Sequence, residues 1–253
     1  MTIILSIEYD GTNYSGWQIQ ENADTVQGKI NGAISQIFGL SLETIGAGRT
    51  DAGVHAKSQI AHFICEAPKI TNRNKLILAI NSFLPDDIRI NNVWFTETDF
   101  HSRYDAIARE YKYRFCLKKT VFTRFFVAYL PYKIDEQLLF EAANIFIGKH
   151  NFRTFSKLNR DTKNYFCDVT VCNWLRLDET NFELTIKADR FVYGMVRSLV
   201  GVMFDIARGK RSLSEVKESL FTGEKKYISP LANACGLTLH KIYYPEHFTF
   251  LEQ

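Results

Sequence analysis

At 253 residues with 46% apolar side chains, the chain can bury the cores of two domains, and no run of about eighteen apolar residues exists to cross a membrane as a helix. Its five cysteines are odd in number, scattered and without a C-x-x-C pair, which excludes a disulfide scaffold and a Cys/His metal site and points to reduced thiols in a cytoplasmic protein. The net charge of +3 says little as a total, but His101–Phe125 holds seven Lys/Arg against two acids and Lys187–Arg211 six against two, which suits either a polyanionic partner or two solvated faces.

The opening MTIILSIEYDG lacks a basic start and is interrupted by Glu8 and Asp10, so it reads as a strand rather than a signal peptide, with Ile3, Leu5 and Ile7 alternating against Ser6 and Glu8. Val26, Ile30, Ala33, Ile34, Ile37 and Phe38 then recur at helical spacing; Asp24 with Gln27 three residues on predicts a capping box, and Gly39 ends the helix. A glycine-rich loop follows, then a strand over 58–65, a helix from Arg73 to Leu84 ahead of Pro85, and a strand over 87–95.

A second round begins after FHSRY. Tyr111, Tyr113, Phe115 and Leu117 alternate with Lys112, Arg114 and Cys116 in a strand. Asp135 caps a helix carrying Leu138, Leu139, Ala142 and Phe146, closed by Gly148. Strands over 166–177 and 181–188 precede a long helix over 191–209, a short helix after Ser212 and a last strand over 236–244. Two successive mixtures of strand and helix predict two α+β domains, 1–103 and 104–253, with no low-complexity linker between them.

The loop Gly46–Ala56, GAGRTDAGVHA, holds a single carboxylate, Asp51, among glycines and beside Arg49. A tight turn needs one or two glycines but has little use for R-T-D between them. An arginine 4 Å from Asp51 would contribute about 4 kcal/mol before desolvation and keep the aspartate ionised, as a base or nucleophile requires. No G-K-[ST] follows the glycines, so this is not a phosphate-binding P-loop. TDAG occurs once, whereas aspartic protease chemistry needs two carboxylates sharing a proton. His55 and His62 lack an HExxH frame and read as structural histidines, so no metal is expected.

GAGRTDAGVHA resembles the catalytic loop of the TruA-type tRNA pseudouridine synthases, and the likeness extends along nearly the whole chain. YDGTNYSGWQIQ with TVQG, NSFLPDDI, FHSRYDAIAREYKYRF, GKHNFRTF, FVYGMVRSLVG and CGLTLHKIYYP resemble further blocks of that family in the same order. Departures are Asn151 where an aspartate is usual, and the atypical stretches 158–170 and 226–235.

The resemblance implies two ferredoxin-like (RRM-like) halves whose mostly antiparallel sheets join into one central sheet, with helices on one side and an active-site cleft. It implies Asp51 as the essential aspartate, Tyr111 as the active-site tyrosine that stacks on uracil, and Arg197 as a basic partner for the aspartate. An arginine between Val196 and Ser198 on an apolar helix independently calls for a partner. Leu237 would be an apolar wall, and Arg49, Arg103 and Arg109 would contact phosphate or help to flip out the target nucleotide. The loop glycines would give clearance to that nucleotide.

The implied activity is isomerisation of uridines at tRNA positions 38 to 40, in the anticodon stem-loop, by a cytoplasmic homodimer that holds tRNA across both copies. The reaction breaks the N1–C1′ bond and makes a C5–C1′ bond, so no redox cofactor, other small-molecule cofactor or metal is expected. Two alternatives stay open: a synthase acting on another tRNA site or another RNA, and a non-catalytic RNA-binding protein of the same fold, for which Asp51 would have no use.

Overall fold

The computed structural model describes residues 1–157, 162–224 and 229–248. In chain order the first elements are β1 (Thr2–Tyr9), α1 (Val26–Phe38), β2 (Ile45–Gly46), β3 (His55–Ile64), α2 (Arg73–Asn81) and β4 (Ile88–Thr96). Then come β5 (Ala108–Cys116), β6 (Ala128–Tyr129), α3 (Glu136–Asn144), β7 (Gly148–Asn151) and β8 (Phe166–Arg176). The last are β9 (Asn181–Ala188), α4 (Met195–Ala207), α5 (Leu213–Thr222) and β10 (Leu237–Tyr243). None of the described helices is long and apolar enough to cross a membrane.

The elements form two α+β units: Met1–Ile107 together with the chain from Thr238, and Ala108–Leu237. The C-terminal segment that the sequence places in the second domain therefore groups with the first. Thr238 and Leu239 pair in parallel with His55 and Ala56, and the Tyr244 and Phe248 rings lie 5.2 and 5.1 Å from that of Phe100. Sequence order carries no signal for such a return of the chain.

In the first unit the strand order is β4-β1-β3-β10, with β2 on β3, and β1 runs antiparallel to both neighbours. Ile3, Leu5 and Ile7 of β1 are fully buried, and so is Ile4 on the opposite pleat, so both faces of this central strand are covered. Ile30, Ile34 and Phe38 of α1 and Leu76 and Ile80 of α2 supply the rest of the core.

The cap of α1 differs from expectation. Thr25, not Asp24, accepts the Gly28 N–H, while Asp24 pairs with Lys29 at 2.8 Å. Gln27 is not a box partner: its amide oxygen accepts the Ile19 N–H and its nitrogen donates to the Thr44 carbonyl at 2.6 Å, tying α1 to the loops on either side. The second helix also stops at Asn81, since the Asn81 side chain turns to both backbone groups of Ile90.

In the second unit the strand order is β5-β9-β8-β7, antiparallel throughout, and β6 adds to β5 in parallel. Phe115 stacks on Phe182 at 4.9 Å and meets Trp174 and Phe204 edge-on, which packs α4 onto this sheet. Asp135 caps α3 as predicted, but Gly148 (φ +105°) opens β7 rather than closing the helix. All five cysteines are free thiols, four of them buried. Of the two atypical stretches, 158–161 and 226–228 lie outside the described residues.

Candidate active site

Asp51 sits in a loop between β2 and β3 whose backbone is fixed at almost every residue. Ala47 N–H donates to the Ile60 carbonyl at 2.7 Å, and the Gly48 carbonyl accepts from Gln59 Nε2 at 2.8 Å. Thr50 is held twice, by its hydroxyl to Tyr9 Oη at 2.8 Å and by its carbonyl to the Trp17 N–H at 3.2 Å. Val54 N–H closes a turn on the Asp51 carbonyl at 3.1 Å, and Gly53, at φ +75°, donates to the Tyr14 carbonyl. His55 Nδ1 accepts the Gly11 N–H at 3.0 Å and lies 3.0 Å from Asp10 Oδ1, which ties the end of the loop to the segment after β1.

At Gly46 the structure corrects the reading of the loop glycines as clearance for a nucleotide. A Cβ on Gly46 would lie 2.6 Å from Trp17 Nε1, so this position is closed by the indole. Gly53 supplies the positive φ of the turn. The decisive glycines lie elsewhere, in the segment after β1. A Cβ on Gly11 would stand 2.0 Å from the Val54 carbonyl oxygen, and one on Gly16 (φ +97°) would stand 2.5 Å from that of Thr50. The YDGTNYSGW segment is thus the bed on which the aspartate loop lies.

Arg49 turns to Gln18 rather than to Asp51. Its Nε donates to Gln18 Oε1 at 3.1 Å, and it forms no ion pair with Asp51.

Arg103 is exposed on the segment that follows Phe100. That segment hangs on a buried histidine: His62 Nδ1 lies 2.9 Å from Ser102 Oγ, and its ring meets those of Phe100 and His101. His101 Nδ1 in turn accepts the Arg103 and Tyr104 N–H groups, and Tyr244 Oη donates to the Ser102 carbonyl at 2.6 Å. Burial, helped by His101, pulls the His62 imidazole down to about 4, so it is a neutral anchor rather than a charge.

In the second unit, Tyr111 is buried on β5 with its ring edge-on to Phe191 at 5.2 Å. Two residues along the same face, Tyr113 is fully buried; burial foremost pushes its phenol well above the usual range, so it is uncharged. Arg197 stands on α4, where its Nε donates to the Ala232 carbonyl at 2.8 Å while its own carbonyl accepts the Ala232 N–H at 3.0 Å. One turn further along α4, a Cβ on Gly201 would fall 2.0 Å from the Pro230 carbonyl oxygen. These contacts lay the stretch leading to Leu237 along the helix. Leu237 is buried at the start of β10, just after the turn that packs Gly236 against the Tyr113 ring.

The basic segments shrink on inspection. Lys112 Nζ and Arg114 Nε both bind the buried Glu183 carboxylate, at 2.7 and 2.6 Å, so two of the seven cations counted in His101–Phe125 are already paired within the unit. Arg109 donates to the Asp189 carbonyl at 2.9 Å. Sequence reasoning missed Gln59, Trp17, Thr50, Phe191 and Ala232. A buried polar residue such as Gln59 inside a strand of apolar neighbours was the one available signal.

A family model described as tRNA pseudouridine synthase matches residues 5–105 and 142–245. The tRNA pseudouridine synthase A of Chlamydia trachomatis serovar A is 38% identical over 248 residues, covering 96% of this chain and 92% of its own. That of Bacteroides fragilis is 36% identical over 240 residues, 95% of each chain. That of Fervidobacterium nodosum is 34% identical over 244 residues, covering 96% of this chain and 99% of its own.

Proposed function

The chain belongs to the tRNA pseudouridine synthase family, and from that premise we propose that it isomerises uridines at positions 38 to 40 of the tRNA anticodon stem-loop, with Asp51 as the essential aspartate. The reaction class is an isomerisation of tRNA uridine, in which the base leaves C1′ through N1 and returns through C5. In this reading Tyr111 stacks on the uracil and takes the C5 proton, and Arg197 is the basic residue of the set. Leu237 walls the base, and Arg49, Arg103 and Arg109 hold phosphates.

The observation that carries the reading is the bracing of the Asp51 loop. Gln59, Tyr9, Trp17 and Tyr14 each bind its backbone or the adjoining threonine, and Gly11 and Gly16 let a second segment lie against it at van der Waals distance. Such bracing suits a carboxylate that must hold one position against a sugar, because misplacement of a reacting group by about 1 Å can cost 10²-fold in rate. A surface turn has no need of it. The same reading makes the protein a cytoplasmic homodimer that holds tRNA across both copies.

The test maps pseudouridine in total tRNA of the host with and without this protein. Loss of the modification at positions 38 to 40, restored by the parent gene and not by an Asp51→Ala variant, is the expected result. Unchanged positions 38 to 40 with loss elsewhere in tRNA would move the substrate site and keep the chemistry. No change at any position would overturn the assignment.

A further inference from the structure

Beyond β5 the chain runs through KKTVFTRFFVAYLPYK, residues 118–133, with four Lys/Arg and no acid. Its aromatic side chains are unusually open to solvent, although Ala128 and Leu130 are buried. Phe122 is 92% exposed, Phe125 42% and Tyr132 46%. Leaving a phenylalanine fully in water forgoes about 2 kcal/mol of burial, so such a cluster points to a partner. Lys118 and Lys119 make no ion pair among the described residues, unlike Lys112 and Arg114 on the strand before them. The cations are also interleaved with the rings. The Arg124 guanidinium lies 4.1 Å over the Phe125 ring, and Arg208, at the end of α4, lies 3.6 Å over that of Tyr132.

We propose that this stretch is a stacking surface for unpaired nucleotides of the RNA substrate, with Phe122 and Phe125 against bases and Lys118, Lys119 and Arg124 against phosphates. The proposal rests on the tRNA-modifying function and adds to it a contact away from the reacting base. β5 carries Tyr111 near its start, and six residues at about 3.3 Å each put the beginning of this loop roughly 20 Å away. Open aromatic faces next to unpaired cations are what single strands need, since every base has a face to stack and every nucleotide a phosphate. A second copy fits less well. Meeting this face about a two-fold axis would bring the same cations together, with no acid between 117 and 134 to separate them.

The test uses the full chain and two probes, labelled tRNA and a short unstructured oligouridine, followed by fluorescence anisotropy. In Phe122→Ala/Phe125→Ala, affinity for both probes should fall at least tenfold, while the single-turnover rate at saturating tRNA stays within about twofold of the parent. Loss of about 1.4 kcal/mol per tenfold is within the range of one stacked base. Phe122→Trp should show indole emission quenched by oligouridine. Lys118→Gln/Lys119→Gln should make the salt dependence of binding shallower by about one to two in log–log slope.

Unchanged affinity in the double alanine variant, or unquenched emission from the tryptophan, overturns the proposal. So does a change of sedimenting mass in the double variant, which would assign the face to a second copy. Failure of the functional reading looks different: the parent would bind RNA with these same sensitivities and form no pseudouridine.

Discussion

Gln59 donates from the middle of β3 to the carbonyl of Gly48 at 2.8 Å, so a strand side chain fixes the backbone three residues before Asp51. The other amide atom, Oε1, is buried and has no hydrogen-bond partner among the described residues. A glutamine kept half-satisfied in a fully buried position is there for the half that is used.

Gln59→Leu should separate rate from stability. It removes the donor and the unsatisfied oxygen together, so the unfolding free energy should change by less than about 1 kcal/mol. The single-turnover rate should fall roughly tenfold as Gly48 loses its tether, with tRNA affinity unchanged. A variant as fast as the parent would show that the remaining braces suffice.

Asp51→Asn keeps the shape of the side chain and removes its charge. Turnover should fall below detection while tRNA binding stays within about tenfold, or 1.4 kcal/mol, of the parent. Pseudouridine formation near the parental rate would remove Asp51 from the mechanism.

Gly16→Ala should be costly although it adds one methyl. The residue lies at φ +97° and the new Cβ would stand 2.5 Å from the Thr50 carbonyl oxygen, so destabilisation above about 2 kcal/mol is expected in urea unfolding. Gly32→Ala is the control. Nothing lies within 4 Å of its Cβ on α1, so the same substitution there should stabilise by up to about 1 kcal/mol.

Acid should weaken the fold in a window that belongs to His62. Its imidazole titrates at about 4 when folded, against an ordinary 6.5, so the unfolded chain binds the proton first. The contribution of neutral His62 is complete above about pH 6.5 and is lost as the pH falls towards 4, by roughly 3 kcal/mol at the limit. Glu183 acts lower. Burial alone would raise its carboxyl, but the bonds from Lys112 and Arg114 outweigh that and hold it below its usual range, so its contribution is lost only below about pH 4.3. Urea unfolding between pH 4 and 7 should therefore slope in the parent and flatten in His62→Gln.

Most elements were legible because their signals are local. The alternation Ile3, Leu5, Ile7 and the caps at Asp135 and Ser212 need only neighbours to act, and the structure has them. The caps that misled are those where a distant group competes. Gln27 has the spacing of a capping box, but the Thr44 carbonyl and the Ile19 N–H are better partners than its own helix end. The candidate site was legible as a string of letters and opaque as a mechanism of support. Arg49 and Asp51 are two residues apart in sequence and form no ion pair with each other, while Gly16 and Thr50 are far apart in sequence and touch. Charge misled for the same reason: Lys112 and Arg114 look like part of a basic surface until Glu183, seventy residues later, is seen to hold both.

The pairing of Thr238 and Leu239 with His55 and Ala56 also sets an order of events during synthesis. Residues 108–237, the whole second unit, leave the ribosome before the strand that borders the aspartate loop is made. Until then β3 has an open edge beside His55, the kind of edge that invites pairing with other chains. The first unit begins the polypeptide but is the later of the two to be finished, so a nascent or prematurely terminated chain holds Asp51 in a sheet still missing its last strand.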